Sequence, residues 1–307
     1  MVKPTLGFMI NDWDSEPTLI QRSARVALHG TAGKWRKIQK DLGGPRDVSL
    51  LNEYHEIFHK AGIDGLKLHT LAWAKPDFYP NGFPIQDRNA RIQATNAHIK
   101  ELLTEETGYW KYIDVYNEPV DLKGNGLKGD LTNLEVAMAF QTAAVHRPKA
   151  LLGLNEHSCE RIPEKLDAYI ELASKLQKMQ TNLHYLGFQM HLKLGFPYSK
   201  AGFVEMFQKV RAEVPGTEIH VTELDISTVD YEGEDWEQAQ ADLARMLLEA
   251  CRECNVEVVI FWGTQDESSW LKARAAEKGK DPNKEWPCLF KDGKPKKVCG
   301  VIAELLL

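Results

Sequence analysis

Apolar residues along the chain switch repeatedly between a period of two and a period of 3.6, which outlines alternating strands and helices. Residues 6–10 form a short apolar run, followed by acidic residues and a helix read from Ser15. Residues 25–28 read as a second strand that leads into a glycine-containing loop. From Asp47, the residues Leu50, Tyr54, Ile57 and Phe58 keep helical spacing until Gly62 supplies a stop. Residues 65–71 alternate as a strand, and Ile92, Thr95, Ile99, Leu102 and Leu103 mark the next helix.

The stretch Lys111-Tyr-Ile-Asp-Val-Tyr-Asn-Glu-Pro119 has the β-branched and aromatic content of a short buried strand. Pro119 cannot donate to a sheet ladder and biases Glu118 towards an extended conformation, so the strand is expected to stop there. The loop over 120–132 carries three glycines and reads as exposed. Helices then follow over 134–146, 166–176, 203–210, 243–250 and 298–306. Strands separate them over 150–154, 185–191, 219–222 and 256–262, the third of these ending in Glu223. About eight strand–helix units, with strands spaced for helical crossovers, predict one closed (β/α)8 TIM barrel over 1–307.

Composition narrows the partners. The 307 residues are 43% apolar and 27% charged, the proportions of a soluble globular protein. A net charge of −6 without a basic block argues against nucleic acid. No apolar run approaches the roughly 20 residues that span a bilayer, and the N-terminus lacks the apolar core of an export signal. Five cysteines give no regular disulfide spacing. Cys251 and Cys254 stand two residues apart in a helical pattern with no second ligand pair, so buried thiols are expected there and no metal or cofactor.

Unusual polar and aromatic residues collect at predicted strand ends: His69 and Trp73 on the third, Asn117 and Glu118 on the fourth, Gln189 and His191 on the sixth, Glu223 and Asp225 on the seventh, and Trp262 on the eighth. A parallel barrel puts all these ends on one face, so they converge on one cleft. Two carboxylates flanked by Trp73, Trp262 and Trp270 suit sugar chemistry. Indoles stack on sugar faces, while cleavage of an acetal needs one protonated acid and one carboxylate facing the anomeric carbon. Gln189 and His191 are two apart, and strand alternation would point both to one face.

Those segments carry a family resemblance. Asp114-Val-Tyr-Asn-Glu-Pro119 resembles the acid/base motif of glycoside hydrolase family 10, the endo-β-1,4-xylanases, and Val221-Thr-Glu-Leu-Asp-Ile226 resembles its nucleophile motif. His69-Thr-Leu-Ala-Trp73, Gly187-Phe-Gln-Met-His-Leu192, Phe261-Trp-Gly-Thr-Gln-Asp-Glu-Ser-Ser-Trp270 and Leu289-Phe-Lys-Asp-Gly-Lys-Pro295 follow in the family's order. The resemblance implies Glu118 as general acid/base and Glu223 as nucleophile of a retaining hydrolysis, with carboxyls about 5–5.5 Å apart. It also implies Asn117 on the sugar 2-hydroxyl, and His191 between Glu223 and Asp225. His69, Trp73, Gln189, Trp262 and Trp270 would bind sugar. Lys34 matches the end of a second-strand motif after a two-residue gap, and would contact the next sugar out. For Glu118 to stay protonated near neutral pH, its surroundings should disfavour its charge.

Three departures from the family pattern touch the sugar-binding flanks: Gly30-Thr31 in place of Glu-Asn, Ala74 in place of His, and His157-Ser158 in place of Tyr-Asn. The expected substrate is a β-1,4-linked polysaccharide, xylan by resemblance. A related retaining glycosidase with another sugar preference and a non-catalytic sugar-binding barrel are the alternatives. A monomer is expected, and export by analogy with polymer-degrading relatives.

Overall fold

The computed structural model of the chain describes residues 3–11, 23–105 and 108–307. Eight parallel strands form the barrel: β1 (Thr5–Met9), β2 (Val26–Leu28), β3 (Gly65–Leu68), β4 (Tyr112–Asn117), β5 (Leu151–Glu156), β6 (Tyr185–Phe188), β7 (Glu218–Ser227) and β8 (Val258–Phe261). Each pairs with the next, and β8 returns to β1 through Thr5↔Val258 and Leu6↔Val259, which leaves no free edge. Around them run helices α1 (Trp35–Ile38), α2 (Ser49–Lys60), α3 (Arg88–Glu105), α4 (Asn133–His146), α5 (Pro163–Lys178), α6 (Lys200–Glu213), α7 (Trp236–Glu253), α8 (Trp270–Glu277) and α9 (Lys297–Leu305). The helix expected from Ser15 lies outside the described residues.

Side-chain alternation sorts the apolar residues into two cores. Met9, Val26, Leu28, Tyr112, Tyr185, Val258, Ile260 and Trp262 fill the barrel interior. Their neighbours along the strands, such as Phe8, Ala27, Ile113, Leu186 and Val259, pack outward against the helices. Gly153 faces the interior, where any β-carbon would overlap the Tyr185 ring, so the residue there has to be glycine.

Two strands interrupt this alternation, and they carry the candidate carboxylates. In β4 the partners of Asp114 and Tyr116 are Gly153 and Leu154, so β4 holds one extra residue. In β7 the partners of Val221 and Leu224 are Val259 and Phe261, again one residue too many. Val115 and Tyr116 both join the outer core, as do Val221 and Leu224. Each bulge therefore flips the parity beyond it. Asn117 and Asp225 turn inward as a result, and Glu223 stays off the helix-packed face.

Several expected boundaries shift for local reasons. The third strand breaks after Leu68 and resumes as Ala72–Trp73 against β4. Thr70 Oγ1 donates to the Asp114 carbonyl at 2.8 Å and fills the gap in the ladder. The sixth breaks at Met190, whose φ of 57° is left-handed, and resumes as His191–Lys193 against β7. Gln189 and His191 thus reach one cleft across a kink rather than by strand alternation. The seventh does not end at Glu223 but runs on to Ser227. The short helices α1 and α8 have no counterpart in the apolar pattern.

A charged network sits inside the barrel beneath the cleft. Asp114 Oδ1 accepts from Lys67 Nζ at 2.6 Å and from Tyr185 Oη at 2.7 Å, and Oδ2 lies 2.8 Å from His69 Nδ1. Burial disfavours the Asp114 charge, yet Lys67 and His69 outweigh it and bring the carboxyl down to about 2. Replacing Asp114 by Asn leaves the buried Lys67 ammonium without its carboxylate. Asp114→Asn should therefore lower the unfolding free energy by about 3–5 kcal/mol, measured by chemical denaturation; an unchanged midpoint would show that the pair carries no such burden.

Candidate active site

The C-terminal ends of the strands open into a cleft of about 1350 Å³. Glu118, Gln189, His191, Glu223, Asp225, Lys34, Trp73, Trp262 and Trp270 all line it. His69 lies behind this wall, only 2% exposed, with its ring edge against Trp73 and Trp262. Asn117 is fully buried beside the cleft, and its Nδ2 has no hydrogen-bond partner.

Glu118 follows the last residue of β4 with φ of 51°, a left-handed geometry that a glutamate adopts only where its surroundings impose it. It departs from the extended conformation that Pro119 would favour, and the Glu118 N–H donates to the Asn155 carbonyl at 2.7 Å, which holds it there. Glu118 Oε1 accepts from Gln189 Nε2 at 3.3 Å, while Oε2 lies 3.2 Å from Lys128 Nζ and 3.7 Å from His157 Nε2.

Glu223 is held differently. Its Oε1 accepts from Asn155 Nδ2 at 2.7 Å, and its Oε2 lies 3.2 Å from His191 Nε2. His191 Nδ1 in turn lies 2.9 Å from Asp225 Oδ1, and Asp225 Oδ2 accepts from the Trp270 indole at 2.9 Å. Asn117 Oδ1 accepts from Asn155 at 2.9 Å and from Gln189 at 3.3 Å. Three amides (Gln189, Asn117 and Asn155) therefore link Glu118 to Glu223 in one hydrogen-bonded chain.

The electrostatics divide the two acids from their neighbours. Burial disfavours the His191 cation, but Asp225 and then Glu223 outweigh it and lift the imidazole to about 10. Burial likewise disfavours a charge on Glu223, and the His191 hydrogen bond reverses that, so its carboxyl lies below the ordinary range. Glu118 departs from expectation. Burial raises its pKa, but His157 and Lys128, with the polar N–H groups of Trp73 and Gln189, outweigh that and bring it down to about 2. The free site thus favours the Glu118 charge rather than opposing it.

Aromatic side chains wall the cleft. Trp73 stacks on Phe78 with ring centres 3.8 Å apart, and Lys34 Nζ lies 4.9 Å above the indole. Lys34 stands at the start of α1 rather than at a strand end, where burial lowers its pKa. Trp270 meets His191 edge-on at 5.0 Å. All three departures, Gly30-Thr31, Ala74 and His157-Ser158, line the same cleft, so they bear on what binds.

Sequence reasoning left out two contributors. Asn155 joins Glu223 to Asn117, and its own Oδ1 accepts from Thr222. A signal was available, since Asn155-Glu156 ends β5 as Asn117-Glu118 ends β4. Lys128 comes from the glycine-rich loop after Glu118, where nothing local marks it.

A family model, Glycosyl hydrolase family 10, matches residues 6–304. The chain belongs to glycosyl hydrolase family 10. It is 30% identical to endo-1,4-beta-xylanase B of Neocallimastix patriciarum over 70% of this chain and 25% of that protein. Endo-1,4-beta-xylanase A of Caldicellulosiruptor sp. (strain Rt8B.4) is 28% identical over 75% of this chain and 36% of that protein. The chain thus spans between a quarter and about a third of the length of these curated relatives. Among solved structures, GH10 from Paenibacillus barcinonensis superposes with a TM-score of 0.85 at 24% identity, covering 99% of this chain and 96% of that one. Xylanase 10B from Thermotoga petrophila RKU-1, solved in complex with xylobiose, gives 0.85 at 21% identity over 98% and 93%. At these identities the superpositions speak for the fold of this family 10 chain. Among its described residues no helix is long and apolar enough to cross a membrane.

If His191 holds Glu223 ionised, removing the cation raises the Glu223 pKa. His191→Gln should therefore move the acid limb of the kcat/KM–pH profile upward by about one unit, because more of the carboxylate is protonated at a given low pH. A profile superimposable on the parent would separate His191 from Glu223.

Proposed function

We propose that this family 10 chain is an endo-β-1,4-xylanase that hydrolyses internal xylosidic bonds with retention, working as one catalytic domain. The observation that carries this reading is the pair Glu118 and Glu223, set on separate strands, joined through three amides, and held by unlike neighbours. Glu223, ionised beside His191, attacks the anomeric carbon as Glu118 passes its proton to the leaving oxygen. Water then attacks the glycosyl ester while Glu118 accepts its proton, and Glu223 leaves as carboxylate. The unpartnered Asn117 Nδ2 supports a hydrogen bond to the sugar 2-hydroxyl, which strengthens as positive charge builds on the ring. Trp73, Trp262 and Trp270 offer sugar-stacking faces, with Lys34 and Gln189 as polar contacts.

The electrophilic test is a 2-fluoro-xylobioside with a good leaving group. It should leave a stable ester on Glu223, located by mass after proteolysis; label on another residue, or none despite binding, rejects the assignment. Glu118→Ala should lose about 10²–10⁴-fold with a poor leaving group and far less with dinitrophenolate, since the latter needs no proton.

A second reading keeps the chemistry and changes the sugar. It is favoured by Gly30-Thr31, Ala74 and His157-Ser158, which replace polar and aromatic groups along the cleft wall. Xylan and cellulose assayed side by side decide between them: the first reading expects xylan to be turned over much faster, and preference for cellulose would establish the second.

A further inference from the structure

The chain does not run away from Glu118 but folds straight back over it. The Lys128 N–H donates to the Pro119 carbonyl at 2.8 Å, the Asp121 N–H to the Gly126 carbonyl at 2.8 Å, and Val120 bridges Leu127. Gly124 and Gly126, at φ of 73° and 111°, make the turn. At the tip, Gly124 packs so closely on the Glu164 backbone that a β-carbon would not fit. The base rests on a buried ion pair. Glu156 Oε2 accepts from the Val120 N–H at 2.9 Å, and Glu156 Oε1 lies 2.7 Å from Lys165 Nζ, both side chains fully buried. This hairpin is a built element, and it delivers Lys128 Nζ to 3.2 Å from Glu118 Oε2.

That contact has a chemical consequence. A lysine ammonium has three donors and no acceptor, so it can face a carboxylate oxygen but not a carboxylic O–H. Oε1 is meanwhile occupied by the Gln189 donor. While Lys128 sits on Oε2, both oxygens face donors and Glu118 is held as the carboxylate, with no proton to give. We propose that Lys128 is a positioning residue that holds Glu118 in its charged form and has to withdraw from Oε2 before the acid can protonate a leaving group. This rests on the acid/base assignment of Glu118. Saccharide entering the leaving-group side, between Lys128 and the carboxyl, supplies the displacement. In the second half-reaction, in which Glu118 accepts a proton from water, Lys128 again has to leave Oε2, because its positive charge weakens the carboxylate as a base.

Other charged groups also face Glu118. His157 from the end of β5 approaches Oε2, Lys34 and Glu223 act across the cleft, and His191 stands beyond Glu223. Lys128 differs from them in contacting Glu118 directly from the hairpin rather than from a barrel strand end.

The test compares kcat/KM–pH profiles of the protein, Lys128→Met and Lys128→Arg on an unactivated xylo-oligosaccharide and on a dinitrophenyl β-xylobioside. Removing the cation raises the pKa of the acid, so the basic limb should move upward in Lys128→Met by about one pH unit or more on the unactivated substrate. Lys128→Arg should keep the parent profile, and the dinitrophenyl substrate should respond little to either change. An unmoved basic limb overturns the proposal, and so does an equal loss on both substrates, which marks a structural role. Glu118→Ala measured alongside separates the two layers: undiminished activity on the unactivated substrate overturns the acid/base assignment itself, whatever Lys128 does.

Discussion

Between Glu223 and Asp225, the His191 imidazole lies 3.2 Å from one carboxylate and 2.9 Å from the other. With both carboxylates almost fully buried, three ionisable groups can sit this close only if their charges alternate, and the imidazolium is what makes two acids two residues apart tolerable. Much else in the cleft follows from that alternation. Asp225 fixes the ring with one oxygen and takes the Trp270 indole with the other, which places a cleft wall. Glu223 is held with Asn155 on one oxygen and His191 on the other, and its side chain lines the cleft. The same logic recurs one layer down, where Asp114 is neutralised by Lys67 and orients His69.

Glu118 lives under a different balance. Its partners, Lys128 and His157, come from the loops and the β5 end rather than from the barrel floor, and they are partly exposed, at 25% of each side chain. Under the proposed retaining mechanism, a carboxyl that acts as acid in one step and base in the next cannot be locked as firmly as Glu223. The floor offers permanent partners, while the rim offers ones that a substrate can displace. In the free protein the rim favours the charged form, so the protonated form belongs to a state in which those contacts have changed.

The amino-acid pattern made the architecture legible because barrel strands carry short apolar runs at crossover spacing, and the acids stand at their ends. Glu118, Glu223, Gln189, His191, Trp73 and Trp262 could be placed on one rim for that reason alone. Features that depend on pairing across the chain could not. The extra residues in β4 and β7 are visible only against the partner strands, yet they decide that Asn117 and Asp225 face inward. The kink at Met190 hides within an apolar run that reads as one strand. Helix α8 is eight residues long and has a single buried residue, too little for periodicity to register. Lys128 reaches Glu118 through a hairpin whose turn residues read simply as an exposed loop, and its sign on the acid was invisible for the same reason.

The protonation state of His191 tests the central arrangement most directly. Nitrogen-15 NMR of the unliganded protein, with the imidazole followed across pH, should find His191 doubly protonated through neutral pH and titrating only near 10. Titration near the ordinary value of 6.5 would contradict the account, because a neutral imidazole could not separate Glu223 from Asp225 or keep Glu223 ionised.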